Sequence, residues 1–230
     1  MSLAGKGAVA IWHDIAAEGR TEFYAWHGRE HMPERVGIPG FLRGRRYVAI
    51  DGEPEFFTLY ETVSRFTVTG ADYLARLNAP TPWTTSTGRH FRRVARSLCE
   101  VAASFGEGQG GLIATLRYAV ADVASAAHRA DFAQRVLPAF AAAPGIAGCH
   151  LLVADARASA VETEEKKARA EPNAIPRWIV LIESWDDADA FVATCRTFRD
   201  GDAFADIATR PELSVYQLQN SRSQLPWSTG

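Results

Sequence analysis

Met32-Pro-Glu-Arg-Val-Gly-Ile-Pro-Gly-Phe41 and Leu137-Pro-Ala-Phe-Ala-Ala-Ala-Pro-Gly-Ile146, one in each half of the chain, carry two prolines and a Pro-Gly pair in the same register. Each reads as a helix stopped by its first proline, which has no N–H to donate, then a Pro-Gly turn and a strand. The match extends outward. Gly7-Ala-Val-Ala-Ile-Trp12 pairs with Gly111-Leu-Ile-Ala-Thr-Leu116 upstream, and Thr58-Leu-Tyr-Glu61 with Val180-Leu-Ile-Glu183 downstream. Two halves with the same order of parts define an internal repeat, and the repeat decides the architecture.

Each half is predicted as strand, helix, strand, strand, helix, strand, the β-α-β-β-α-β order of a ferredoxin-like unit. In the first half the strands fall at 8–13, 42–50, 56–62 and 94–103, with helices at 21–32 and 69–77; Asp51-Gly52 marks the hairpin. In the second, strands fall at 112–120, 148–154, 178–185 and 213–218, with helices at 126–142 and 187–198, the latter capped by Asp186. The units span 1–105 and 112–230. A glycine-rich linker at 106–111 joins them; its G-x-G-x-x-G match opens a strand and not a helix, so it is no dinucleotide fingerprint. Residues 155–176, rich in Ala, Glu, Lys and Arg, are inserted where the first half has only a short turn, and read as a solvated excursion. A four-stranded antiparallel sheet with its helices on one face leaves the other face apolar and bare. The expected fold is therefore α+β, two tandem ferredoxin-like units whose sheets pack face to face as a pseudo-dimeric α+β barrel.

The chain has 230 residues, a net charge of −2, 47% apolar and 23% charged residues, which suits a globular protein and provides no field for nucleic acid or an anionic membrane. The basic runs Arg43, Arg45, Arg46 and Arg89, Arg92, Arg93 are expected at solvated strand edges. Cys99, Cys149 and Cys195 are scattered singly, which implies neither a disulfide framework nor a zinc site. No apolar run approaches the ~18 residues of a membrane span, and residues 1–10 do not resemble a signal peptide. A reducing, cytoplasmic location is expected, as a monomer with an internal pseudo-dimer or as a homodimer.

Trp26-His-Gly-Arg-Glu-His-Met-Pro-Glu-Arg35, Ile38-Pro-Gly-Phe41, Arg45-Arg-Tyr47 and Phe57-Thr-Leu-Tyr-Glu61 resemble the dimeric α+β barrel superfamily and, within it, the EthD-like proteins. The resemblance is close over most of the first half and covers the second only as architecture. It implies a small-molecule enzyme without a tightly bound organic cofactor, of monooxygenase or isomerase type, acting on a small apolar or aromatic oxygenated compound. The same resemblance leaves open a non-catalytic ligand-binding or stress-associated protein, and a haem-binding protein with His31 as axial ligand.

A residue kept in both halves serves the fold, whereas one present in a single half is a candidate for a site. Glu61 and Glu183 are shared and are read as structural acceptors. His31 stands where the second half has Val136, so it is the first candidate, a general acid or base near neutral pH. In the family picture His31 moves a proton, Glu30 orients it, and Tyr60, Tyr47 and Arg45 hold a substrate oxygen, in a cavity between the two sheets. Trp26, His27 and Trp83 complete the expected substrate-binding set. His27 and His31 share a helix face at metal-ligand spacing, but no third ligand accompanies them and no metal is expected.

Overall fold

The computed structural model describes residues 2–169 and 171–224. Strand β1 (Gly7–Ile15) leads to α1 (Arg20–Trp26), a π-helical turn (His27–His31) and α2 (Met32–Val36). The hairpin of β2 (Phe41–Asp51) and β3 (Phe56–Thr62) follows, then α3 (Ala71–Asn78), α4 (Pro82–Gly88) and β4 (Phe91–Phe105). The second half runs β5 (Leu112–Tyr118), α5 (Ser125–Asp131), a second π-helical turn (Phe132–Val136), α6 (Leu137–Ala141) and β6 (Ile146–Ala154). It continues with α7 (Ala156–Ala160) and α8 (Glu164–Lys167), both in the insertion, then β7 (Trp178–Ser184), α9 (Ala188–Asp200) and β8 (Glu212–Ser223).

The strands of the two halves lie in matching order, β4-β1-β3-β2 and β8-β5-β7-β6. Antiparallel pairing of β2 with β8 and of β4 with β6 joins the sheets at both edges into a closed eight-stranded barrel. Closure leaves no strand edge unpaired, so the barrel offers no template for edge-to-edge association. Period-two alternation sorts the side chains. Trp12, Tyr47, Phe57, Leu59, Ile179 and Leu181 fill the interior of the barrel. The opposite faces are covered by helices, in the first half through Phe23, Trp26, Met32 and Val36 and in the second through Phe132, Leu137 and Phe191.

Four local expectations need correction. The first-half helix does not stop at Pro33, nor its counterpart at Pro138. Each continues for a further turn, because the π-helical turn just before the proline absorbs the missing N–H and the ring's clash with the preceding turn. The chain then reverses through Gly40 and Gly145, at φ 86° and 81°, where a side chain would be strained. The cap of α9 is Asp187 and not Asp186; its carboxylate accepts from the N–H groups of Asp189 and Ala190. Arg43, Arg45 and Arg46 are buried and not solvated. The insertion, finally, is anchored to the first half. Its Ser159, Thr163 and Glu165 are buried, Ser159 Oγ accepts from the Leu98 N–H at 2.9 Å, and Ala174 bridges to Ala95 of β4. Residues 225–230 of the second unit lie outside the described residues.

Candidate functional site

Thr58 and Tyr60 of β3 and Arg46 of β2 project from the outer face of the barrel, toward the helices of the first half. The π-helical turn sets His27 and His31 one above the other on the facing side, their rings 5.6 Å apart. The His31 ring lies 4.3 Å from that of Trp26 and 6.4 Å from that of Tyr60. Gly44 leaves room for Tyr60: a Cβ there would come within 2.9 Å of the phenol ring and 3.2 Å of Met32. His13 of β1 lies beneath Phe23, between Phe56 and Phe91.

The second half shows what the fold itself requires at these places. Arg43 and Gly148 pair with Glu61 and Glu183 respectively, and this fixes the strand equivalences. Arg46 then corresponds to Leu151, Thr58 to Val180 and Tyr60 to Ile182, while the aligned π-helical turns set His27 against Phe132 and His31 against Val136. All five counterparts are apolar and belong to one continuous core. An apolar layer is enough to hold a helix on this sheet, so the polar set of the first half is surplus to folding.

It is also unsatisfied. His27 Nδ1, His31 Nδ1, Thr58 Oγ1, the Tyr60 hydroxyl and one terminal nitrogen of Arg46 are buried without a hydrogen-bond partner among the described residues. Each such group costs about 1–3 kcal/mol relative to a paired one. A cluster of them on one surface, absent from the companion half, is what a ligand's polar atoms would complete. Burial, reinforced by the neighbouring His31, holds the His27 imidazole well below its ordinary range; burial, with Arg35, does the same to His31. His13 is lowered to about 3, chiefly by burial. Burial likewise pushes the Tyr60 phenol far upward. The layer thus holds neutral imidazoles and a protonated phenol at neutral pH.

The expected site residues divide between two places. Trp26, His27, His31 and Tyr60 come together in the helix–sheet layer, not between the sheets as the sequence suggested. Trp83, on α4, packs at the edge of the same aromatic cluster as Trp26 and Phe23. Glu30 is turned away from His31. It accepts from Thr81 Oγ1 at 2.6 Å and Thr84 Oγ1 at 3.3 Å, and Thr84 in turn accepts from Trp26 Nε1 at 3.1 Å. It therefore steadies Trp26 and does not orient the imidazole. Arg46 and Thr58 were missed; strand-by-strand comparison of the halves beyond the Pro-Gly anchor would have found both. Among the described residues no three His, Cys, Asp or Glu side chains are grouped to hold a metal ion.

Arg45 and Tyr47 face the interior of the barrel. Arg45 donates to Glu183 through both terminal nitrogens, at 2.7 and 3.0 Å, and pairs with Glu61 at 3.0 Å. Glu61 also receives Arg43, at 2.8 and 2.6 Å. His150 sits 3.5 Å from Glu183 and is bracketed by Ser2 and Ser104, at 3.0 and 2.8 Å. Burial disfavours the Glu183 charge, but the His150 hydrogen bond and Arg45 outweigh it and hold the carboxyl at about 2. The two terminal nitrogens of the guanidinium expected to meet a substrate are occupied by the protein's own carboxylates, while its Nε and the hydroxyls of Tyr47 and Tyr216 are buried without a partner among the described residues. Tyr47 stacks on Phe57 at 5.8 Å within the apolar interior.

No protein-family model matches the chain, and no curated protein does. Solved structures do match. An anthrone oxidase-like protein superposes with a TM-score of 0.61 at 15% identity, over 97% of this chain and 95% of that one. A proposed monooxygenase from Fusobacterium nucleatum subsp. nucleatum gives 0.56 at 9% identity, over 96% of each chain. A chlorite dismutase variant from Candidatus Nitrospira defluvii gives 0.54 at 8%, over 93% of this chain and 90% of that one. The chain thus has the dimeric α+β barrel fold within a single polypeptide. Among the described residues no helix is long and apolar enough to cross a membrane.

Proposed function

We propose that the helix–sheet layer of the first half is the reaction site of an EthD-like small-molecule enzyme. It acts without a tightly bound organic cofactor on an aromatic, oxygenated compound. One observation carries this reading: five buried polar side chains, largely unpartnered, stand where the second half of the same fold has Phe132, Val136, Leu151, Val180 and Ile182. Phe23, Trp26 and Phe91 supply flat apolar walls, as an aromatic substrate requires. The anthrone oxidase-like neighbour is consistent with that substrate class.

In this reading His31, with His27 behind it, accepts the proton of an acidic C–H next to a carbonyl group of the substrate, while the protonated Tyr60 donates to the carbonyl oxygen that takes up the charge. The resulting carbanion either regains a proton at another carbon, an isomerisation, or adds dioxygen. In the second case the CH₂ group and O₂ become a carbonyl group and water. The strongly lowered basicity of the imidazoles favours a second reading, in which they only accept hydrogen bonds and the layer sequesters its ligand. The haem reading fits poorly. A ligating histidine is normally held by a hydrogen bond on its other ring nitrogen, and His31 Nδ1 has none.

An oxygen electrode, with anthrone as substrate and a chelator present, separates these readings. Turnover above the background autoxidation, lowered about 10²-fold by Tyr60→Phe, is the expected result. Tight binding without oxygen uptake would establish sequestration. Neither binding nor turnover across a panel of hydroxylated and keto aromatics would remove the reading.

A further inference from the structure

We infer that the ligand of this layer carries an oxyanion on its aromatic frame, a carboxylate or an ionised phenol, and that Arg46 and Arg169 hold it, Arg169 being delivered over the β4–β6 seam by the second half's insertion. The inference rests on the layer being the ligand site and names the ligand's charge.

The starting point is an imbalance of buried charge. Arg46 comes from β2, Arg96 from β4, Arg35 from α2 and Arg169 from the segment following α8. All four guanidiniums border the first-half layer: Arg46 lies over Phe23 and Tyr24, Arg35 and Arg96 over Tyr73, and Arg169 over Phe91. The carboxylates that pair with them are Glu34 and Glu165. Arg35 takes Glu34 at 3.0 Å and also Glu165, which Arg169 shares at 3.4 Å. Neither Arg46 nor Arg96 makes an ion pair among the described residues; Arg46 Nε donates to the neutral Gln219 at 2.8 Å and Arg96 to the Tyr73 hydroxyl at 2.8 Å.

The Arg46 residue is 6% exposed and the Arg169 side chain 8%. Each has a terminal nitrogen, Nη1, buried without a partner among the described residues. A buried guanidinium with a free donor and no counter-charge, as at Arg46, or with a carboxylate it must share, as at Arg169, is costly, and a planar oxyanion removes that cost most completely, because it accepts the fork of donors as well as the charge. Burial depresses the basicity of both groups, and at Arg169 the attraction of Glu165 offsets this only in part.

The insertion explains how one of these charges arrives. It occupies the β6–β7 connection, where the first half has only the short turn between β2 and β3. It reaches the first half through the Arg35–Glu165 pair and the Ala95–Ala174 bridge, and this seats Arg169 against Phe91 and near His31 and His13. The strand of its own half corresponding to β2 carries Leu151 in place of Arg46 and has no use for such a charge. The second half lacks the polar layer but supplies a charged group to the first.

Calorimetric titration of the full chain at pH 8 with 2-naphthoate, 4-nitrophenolate and the neutral 2-naphthamide tests this. The naphthoate should bind roughly ten- to a hundred-fold more tightly than the amide, the range expected for a hydrogen bond to a charged group. Arg169→Met and Arg46→Met should each erase most of that preference while leaving the amide's affinity within about two-fold, a small change on the same scale. Whether carboxylate or phenolate gains more identifies the source of the oxyanion. Equal affinity of amide and naphthoate for the unaltered protein would overturn the inference, even with anthrone turnover intact. So would an undiminished preference in both folded variants. Should Arg169→Met not fold, Arg169→Gln, which removes the charge and keeps a polar head, takes its place under the same criterion. Anion preference without turnover would leave this inference standing and remove the enzyme reading alone.

Discussion

The double variant His27→Phe, His31→Val is expected to lose ligand binding and turnover by about 10²-fold or more while melting no lower than the unaltered protein. The substitutions install the residues that the second half carries at the same two places, where Phe132 and Val136 lie in a continuous apolar core. They remove two buried ring nitrogens that have no partner, which favours the folded state by about 1–3 kcal/mol for each. Val is smaller than His, and the space left beside Trp26 returns part of that gain. For a chain of this size the net effect on Tm should lie between zero and a rise of several degrees, at roughly 2–4 °C per kcal/mol. The pH dependence gives a second readout. Both imidazoles titrate well below 6.5 in the folded protein and near 6.5 unfolded. Below that value the unfolded chain binds protons that the folded one excludes, so stability is full above pH 6.5 and declines as pH falls beneath it. The double variant should flatten this decline. A fall of more than about 5 °C in Tm at pH 7.5, more than 1 kcal/mol on that scale, would show the histidines to be structural.

The second large effect lies inside the barrel. Glu183→Gln removes one charge from a network in which Arg45 and Glu183 are almost wholly inaccessible, and it leaves Arg45 dependent on Glu61 alone. Breaking a buried pair from one side costs about 3–5 kcal/mol, and Tm should fall on the order of 10 °C. The carboxyl titrates at about 2 in the folded protein and 4.5 unfolded. Its contribution is therefore complete above pH 4.5 and is lost as pH falls from there toward 2, an amount of about 3 kcal/mol. The unaltered protein should lose stability steeply over that window and the variant much less. A Tm within about 2 °C of the unaltered protein would mean that this network contributes little to stability. Because Arg45 is engaged here, the variant should keep its affinity for 2-naphthoate as long as it is folded.

The fold was legible because it rests on patterns that survive divergence. The matched Pro-Gly turns, with glycine at positive φ, and the short apolar runs of the strands are each fixed by backbone sterics or by burial. Closure into a barrel follows from the need to cover two apolar sheet faces, and the pairings β2–β8 and β4–β6 complete it. The site was half legible. His31 against Val136 marks the half in which the site is proposed, since an imidazole stands where packing alone would do. Which face of β3 it meets cannot be read from alternation, because Phe57, Leu59 and Glu61 are as buried as Phe56, Thr58 and Tyr60. A strand covered on both sides shows no polar face to solvent. Arg45 and Tyr47 do lie between the sheets; His31 and Tyr60 were the ones misplaced for that reason. Glu30 was misassigned because sequence adjacency to His31 does not place two side chains on the same side of a helix. Arg169 was out of reach, since its role depends on a long-range return of the insertion that its composition, typical of solvated segments, conceals.

The claim that the first-half helix–sheet layer is a ligand site is tested most directly by a crystal structure of the full chain grown with 2-naphthoate. The account predicts the aromatic ring lodged between the π-helical turn and β3, beside Trp26, with polar atoms of the ligand within hydrogen-bond distance of His31 Nδ1 and of the Tyr60 hydroxyl, and its carboxylate toward Arg46 or Arg169. Ligand bound only in the open cleft at the end of the barrel lined by Arg93, Arg117 and Glu212, with His27, His31 and Tyr60 still unpartnered, would contradict it.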